Sequence, residues 1–143
     1  MRVAERGVVI DASVMLKLLL PEEGSEAVRG LWREWIERDA EITAPFLLAC
    51  EVVSVLRNKV FRRELPPEAG DAAIAAFLGQ AVSLLHPHGI EDTAWALARR
   101  LNLPTAYDAM YLALAELTGG ELWTADRRFA AGLRRKAARV RLV

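Results

Sequence analysis

Gly7-Val8-Val9-Ile10-Asp11-Ala12-Ser13 decides the fold: three β-branched apolar residues, then a carboxylate, then a small residue and a hydroxyl. A run that apolar on both faces fits a strand buried on both sides, the habit of a parallel sheet held between helix layers. Asp11 therefore falls where a central strand ends, and in open α/β sheets ligands bind beyond the carboxyl ends of the strands. Asp11 and Ser13 are also natural caps for a helix starting at Val14. This stretch alone leaves both readings open.

Outward from it, Ser13 to Leu20 reads as a helix stopped by Pro21 and Gly24. A second helix from Ser25 to Asp39 carries Val28, Leu31, Trp32, Trp35 and Ile36 on one apolar face, for the core or, at the tryptophans, for an interface. Glu41 to Ala44 is a short strand, and a long helix runs from Pro45 to about Arg63, with Glu51, Ser54 and Asn58 on one polar stripe. Pro66-Pro67 breaks the chain before an alanine-rich helix over Glu68 to Ala81. Val82 to Leu85 is a third strand.

His86 and His88, two apart, have the look of a metal pair, but Pro87 and Gly89 mark a turn, and no further His or Cys completes a site. Glu91 to Leu101 is the next helix. In Leu103 to Glu116, Thr105 is a natural N-cap and Asp108, three residues on, resembles the partner of a capping box. The apolar face of Met110, Tyr111, Leu114 and Ala115 argues instead for a helix buried from its start. Gly119-Gly120 ends it, Leu122 to Thr124 is a fourth strand, and Asp126 follows that strand as Asp11 follows the first. Arg127 to Ala138 reads as a helix and Val140 to Val143 as a closing strand. The order β-α-α-β-α-α-β-α-α-β-α-β, without repeat or linker, predicts one three-layer α/β/α domain over 1–143, with a largely parallel sheet of about five strands.

The chain has 143 residues, enough for one ordinary core, and 53% of them are hydrophobic, which excludes disorder. No apolar run reaches the roughly 18 residues of a membrane span, and no signal peptide is visible. The single Cys50, read as part of the core, has no partner for an intramolecular disulfide, which fits a reducing cytoplasm. Nineteen basic and nineteen acidic residues cancel. Seven of the basic ones stand in Arg127 to Val143 with no acid among them, leaving the rest of the chain at −7, so a polyanion would be drawn to this end.

Two acids at strand ends (Asp11, Asp126), one in the first turn of a helix (Asp108) and one on a polar helical stripe (Glu51) can converge at one sheet edge. Two carboxylates ~4 Å apart repel by roughly 4 kcal/mol at an effective dielectric near 20, so such a set needs a cation. Oxygen-only donors select a hard divalent ion, Mg²⁺ or Mn²⁺ rather than Zn²⁺. Such an ion activates water and clamps the oxygens of a phosphate ester.

Val9-Ile10-Asp11-Ala12-Ser13, Ala49 to Val53 (Ala-Cys-Glu-Val-Val), Ala106 to Ala115 (Ala-Tyr-Asp-Ala-Met-Tyr-Leu-Ala-Leu-Ala) and Leu122 to Phe129 (Leu-Trp-Thr-Ala-Asp-Arg-Arg-Phe) resemble, in order and spacing, the four signature blocks of PIN domains. The resemblance is to the VapC-like toxins of toxin–antitoxin pairs in particular. It implies that Asp11, Glu51, Asp108 and Asp126 form a metal site hydrolysing RNA phosphodiesters, with Ser13 and Thr124 as hydroxyls beside it. Some members carry a further acid or Asn just after the fourth carboxylate, where this chain has Arg127 and Arg128. That leaves one metal or two open and makes these arginines candidates to hold RNA phosphate. The resemblance also implies a VapB-like antitoxin and a homodimer, and the Trp32 and Trp35 helix is the candidate for part of the antitoxin groove. Two rivals fail on the first loop. A haloacid-dehalogenase-type phosphatase needs a second Asp where Ser13 stands, and a nucleotide-binding loop needs glycines. A PIN-like binding or scaffolding protein without nuclease activity is the remaining alternative.

Overall fold

The computed structural model describes residues 7–134 and 139–143, the Arg134 side chain excepted. Its elements follow the predicted order: β1 (Val8–Ile10), α1 (Ala12–Leu19), α2 (Ser25–Glu37), β2 (Ile42–Pro45), α3 (Leu47–Phe61), α4 (Pro67–Leu78), β3 (Ser83–Leu85), α5 (Ile90–Arg100), α6 (Tyr107–Thr118), β4 (Glu121–Thr124), α7 (Arg127–Arg134) and β5 (Val140–Leu142). The sheet has the order β3-β2-β1-β4-β5, and every pairing is parallel. β1 lies at its centre with all three residues buried, as the unbroken β-branched run requires. The edge strand β3, by contrast, is partly exposed along its length.

From β1 the chain winds outward through β2 to β3, then returns to place β4 on the other side of β1. The direction of winding therefore reverses between β1 and β4, which is where open α/β sheets form their ligand crevice. Register aligns Ile10 with Trp123, and the Asp11 N–H donates to the Trp123 carbonyl at 3.3 Å. At the opposite end the two strands come so close that a Cβ on Gly120 would stand 2.6 Å from the Gly7 carbonyl oxygen.

α1 packs against α2, α3 and α4, and α3 against α4, while α5 pairs with α6, which crosses β1, β2 and β4. The core fills both layers, from Val14, Met15, Trp35 and Leu48 to Leu112 and Leu114. Gly70 of α4 lies against α3 where a Cβ would meet Val60 Cγ2 at 2.7 Å, so these helices touch at a glycine.

Three expectations are corrected. α6 begins at Tyr107 with Ala106 as its N-cap and no side-chain cap bond, so Thr105 and Asp108 form no capping box, and the helix start is exposed rather than buried, Tyr107 at 63%. Cys50 is exposed, because α3 turns that side of its first turns to solvent. Trp32 and Trp35 are buried at 7% and 1%. Trp35 meets Trp123 edge-on with centroids 5.4 Å apart, and Trp32 meets Trp35 at 6.0 Å. These rings are core and cannot line a groove. Apolar surface is exposed elsewhere, at Phe61 (73%) and at Val53 beside a cavity of about 270 Å³ between α3 and α4.

The predicted helix from Arg127 reaches Arg134, and the Arg135 and Lys136 of the basic stretch lie outside the described residues. Arg139 donates to the Gly120 carbonyl at 3.1 Å, and Arg141 bonds Glu121 at 2.7 Å. Two of the seven basic residues are thus tied to the fold, and the Glu121 carboxylate offsets the charge of one of them, Arg141.

Candidate active site

Asp11 leaves β1 in an extended conformation and caps α1, accepting the Val14 N–H at 3.2 Å on Oδ1. The same oxygen accepts the Ser13 hydroxyl. Ser13 Oγ in turn accepts the Ala125 N–H at 2.9 Å and lies 3.3 Å from the Thr124 hydroxyl, and Thr124 Oγ1 accepts the Asp126 N–H at 3.0 Å. Asp126 caps α7 through Oδ1, which accepts the Phe129 N–H at 3.1 Å. One chain of hydrogen bonds therefore ties the end of β1 to the end of β4 and holds both aspartates. The two readings of Asp11 are not exclusive. A carboxylate has about four lone-pair sites on two oxygens, and the cap uses Oδ1.

Asp11 is 7% exposed, and burial pushes its carboxyl up against the opposing pull of the Ser13, Thr124 and backbone hydrogen bonds. Glu51, half-buried on α3, is likewise raised, first by desolvation and then by the charges of Asp108 and Asp11. Asp108 is exposed, yet enough protein surrounds its carboxyl that desolvation is again the main cause of a raised value, with Asp126 adding to it. Glu51 thus feels Asp108 and Asp11, and Asp108 feels Asp126.

Among the described residues, no three His, Cys, Asp or Glu side chains stand close enough to grip an ion as they are. The donor set nonetheless suits Mg²⁺ or Mn²⁺ in its chemistry. It is all oxygen and mutually repelling, and Mg²⁺ characteristically keeps several waters while using one or two carboxylates instead of a closed protein cage.

The remaining predicted residues are distributed more loosely. Arg127 and Arg128 are exposed at the start of α7. Asn58 is exposed and stands two turns beyond Glu51 on α3, about 10 Å along the axis. His86 and His88 are exposed turn residues, with His86 paired to Glu91 and stacked on Phe46.

Sequence reasoning missed one neighbour of the acids and one residue of a cleft beside Asp126. Lys17, read only as an interruption of an apolar run, donates to the Glu23 carbonyl at 2.6 Å and shares with Arg127 and Ala125 the wall of a polar cleft of about 390 Å³. Tyr111, read only as part of an apolar face, turns its buried hydroxyl toward Glu51 at a geometry short of a full hydrogen bond. Its spacing from Asp108, three residues on one helix, is the signal that puts both on one side of α6.

The cavity between α3 and α4 is lined mostly by apolar side chains and holds none of the four acids. Asp11 and Asp126 follow the carboxyl ends of β1 and β4 instead.

A model of the PIN domain matches residues 8–132. Ribonuclease VapC1 of Mycobacterium tuberculosis is 35% identical over 126 residues, covering 86% of this chain and 88% of that protein. Ribonuclease VapC3 of Pyrobaculum aerophilum is 35% identical over 125 residues, covering 85% and 91%. Among solved structures, Mycobacterium tuberculosis VapC20, described as a sarcin-ricin loop cleaving toxin, superposes with a TM-score of 0.65 at 19% identity over 87% of this chain and 94% of that one. A toxin–antitoxin complex from Klebsiella pneumoniae superposes equally well, with a TM-score of 0.65 at 16% identity, over 89% and 92%. At such identities the likeness is one of fold.

Proposed function

The chain belongs to the PIN domain family, and from that membership we propose that it is a metal-dependent ribonuclease that hydrolyses RNA phosphodiester bonds as the toxin of a toxin–antitoxin pair. In this reading Asp11, Glu51, Asp108 and Asp126 hold Mg²⁺ or Mn²⁺, and a VapB-like antitoxin restrains the enzyme, which works as a homodimer in the cytoplasm. The observation that carries it is the electrostatically linked set in which Glu51 of α3 and Asp108 of α6 join Asp11 and Asp126, the acids that follow β1 and β4 where the sheet reverses direction. The ribonuclease names of relatives at 35% identity support the same reading.

The bound ion would supply charge neutralisation for the phosphate and a lowered pKa for the attacking water. The protein's own share is mostly placement. Asp11, buried and fixed by Ser13 and the Val14 N–H, is the rigid donor at the bottom of the site. Asp108 and Asp126 are exposed, so a polynucleotide can reach them from solvent. Arg127 and Arg128 directly follow Asp126 and are exposed, so they can pair with phosphate oxygens next to the scissile one.

The test is cleavage of single-stranded and looped RNA by antitoxin-free protein with Mg²⁺ or Mn²⁺, in parallel with EDTA and with Asp11→Asn. Cleavage that needs the metal and disappears in the variant is expected. Equal cleavage in EDTA overturns the metal site. RNA binding with no cleavage under either metal favours the binding or scaffolding alternative.

A further inference from the structure

The Tyr111 hydroxyl is the one buried side-chain polar atom among the described residues that lacks a hydrogen-bond partner, on a residue only 2% exposed. A bare buried hydroxyl is costly, and phenylalanine would fill the same space without it. Packing alone therefore does not account for the oxygen. Its surroundings do: Tyr111 stands one turn after Asp108 on α6, beside Glu51 and within electrostatic reach of Asp11. It is an O–H donor within electrostatic reach of three carboxylates, Glu51, Asp11 and Asp108, and burial together with these negative charges keeps the phenol protonated.

We propose that Tyr111 is a positioning residue of the metal site, its hydroxyl donating to the Glu51 carboxylate and so fixing which Glu51 oxygen faces the cation. The proposal rests on the metal-site reading above. Groups that hydrogen-bond a ligating carboxylate set its orientation, and removing them commonly weakens metal affinity by about 10- to 100-fold. In this role Tyr111 touches neither substrate nor ion.

The experiment measures Mn²⁺ affinity by titration calorimetry for the parent, Tyr111→Phe, Glu51→Gln and the double variant, with thermal melts of all four in EDTA. Tyr111→Phe is expected to melt in EDTA no lower than the parent, since an unpartnered donor is removed, yet to bind Mn²⁺ about 10-fold or more weakly. The double variant is expected to bind no worse than Glu51→Gln alone, because the hydroxyl acts through Glu51. A purely structural tyrosine would lower the melting temperature and add its effect to that of Glu51→Gln. Parent-like Mn²⁺ affinity in Tyr111→Phe, or full additivity in the double variant, overturns the positioning role while leaving the metal site intact. A parent that binds no Mn²⁺ overturns both.

Discussion

The Ser13 and Thr124 hydroxyls lie 3.3 Å apart, one in the first turn of α1 and the other at the last residue of β4. Ser13 donates to Asp11 and accepts from Ala125, so one side chain satisfies a buried carboxylate and a backbone N–H from the far half of the chain. Ser13→Ala leaves both without that partner. The expected loss is about 1–3 kcal/mol of stability, read as a lower denaturation midpoint at unchanged slope. A loss under about 0.5 kcal/mol would mean that water replaces the hydroxyl at no cost.

Asp11→Asn separates a site from a cap. Asparagine caps as well as aspartate and keeps an acceptor for Ser13 and the Val14 N–H. Burial raises the folded pKa of Asp11, so the folded chain binds more protons than the unfolded one. Metal-free stability of the parent therefore falls as pH rises from the unfolded carboxylate value through the folded one. The variant lacks that loss. It is expected to melt higher than the parent in EDTA at neutral pH, while Mg²⁺ or Mn²⁺ raises the parent's melting temperature more. A variant that melts lower in EDTA and gains as much from metal would make Asp11 only a cap.

Metal binding should carry its own pH signature. Asp11, Glu51 and Asp108 all hold their protons above the ordinary carboxylate range, and a ligating carboxylate must shed its proton. Mn²⁺ affinity is expected to weaken as pH falls, beginning above the pH at which exposed carboxylates titrate. Proton release on binding, seen as a buffer-dependent calorimetric enthalpy, should grow over the same interval. Affinity that stays flat until the ordinary range would remove the raised carboxylates from the ligand set.

Much of this arrangement is legible in the sequence, and the failures have physical causes. The β-branched run ending in Asp11 announces a central strand because no polar residue interrupts it, and Asp126 after Leu122 to Thr124 repeats the pattern. Thr105 and Asp108 mislead because their spacing satisfies a capping box while α6 starts at Tyr107. Asp108 is thereby left without a capping role in the box. The face of α2 is visible from its periodicity, but what covers it is not. Trp35 packs on Trp123, a contact that only the β1–β4 pairing creates. The Tyr111 hydroxyl is invisible for the same reason, since its meaning depends on Glu51 from another helix.

The basic residues divide by what they already hold. Arg141 is bonded to Glu121, whereas Arg127 and Arg128 are exposed beside Asp126. If the latter pair contacts RNA phosphates, replacing both with alanine should weaken binding and reduce the log–log salt slope by roughly 0.7 per lost contact on a single strand. Arg141→Ala should leave the slope as it is. Filter binding over a range of salt concentrations reads both. Equal slopes for the parent and the Arg127/Arg128 variant would assign these two side chains to solvent.

Gly120 tests whether the approach of β1 and β4 is set by backbone contact. A Cβ there would lie 2.6 Å from the Gly7 oxygen and 3.2 Å from its carbonyl carbon. The obstacle is main chain and cannot swing aside, because the same oxygen accepts the Glu121 N–H at 2.9 Å. Gly120→Ala must therefore push apart the strands that carry Asp11 and Asp126. The expected cost is about 1–3 kcal/mol, the range for overpacked interiors. Gly30→Ala is the control: it lies inside α2 with nothing within 4 Å of its added Cβ, and should stabilise by about 0.5–1 kcal/mol through helix propensity. Chemical denaturation of both variants compares contact with propensity in one protein. If Gly120→Ala is as well tolerated as Gly30→Ala, the strands have room to separate, and the spacing of the two aspartates is not held by this contact.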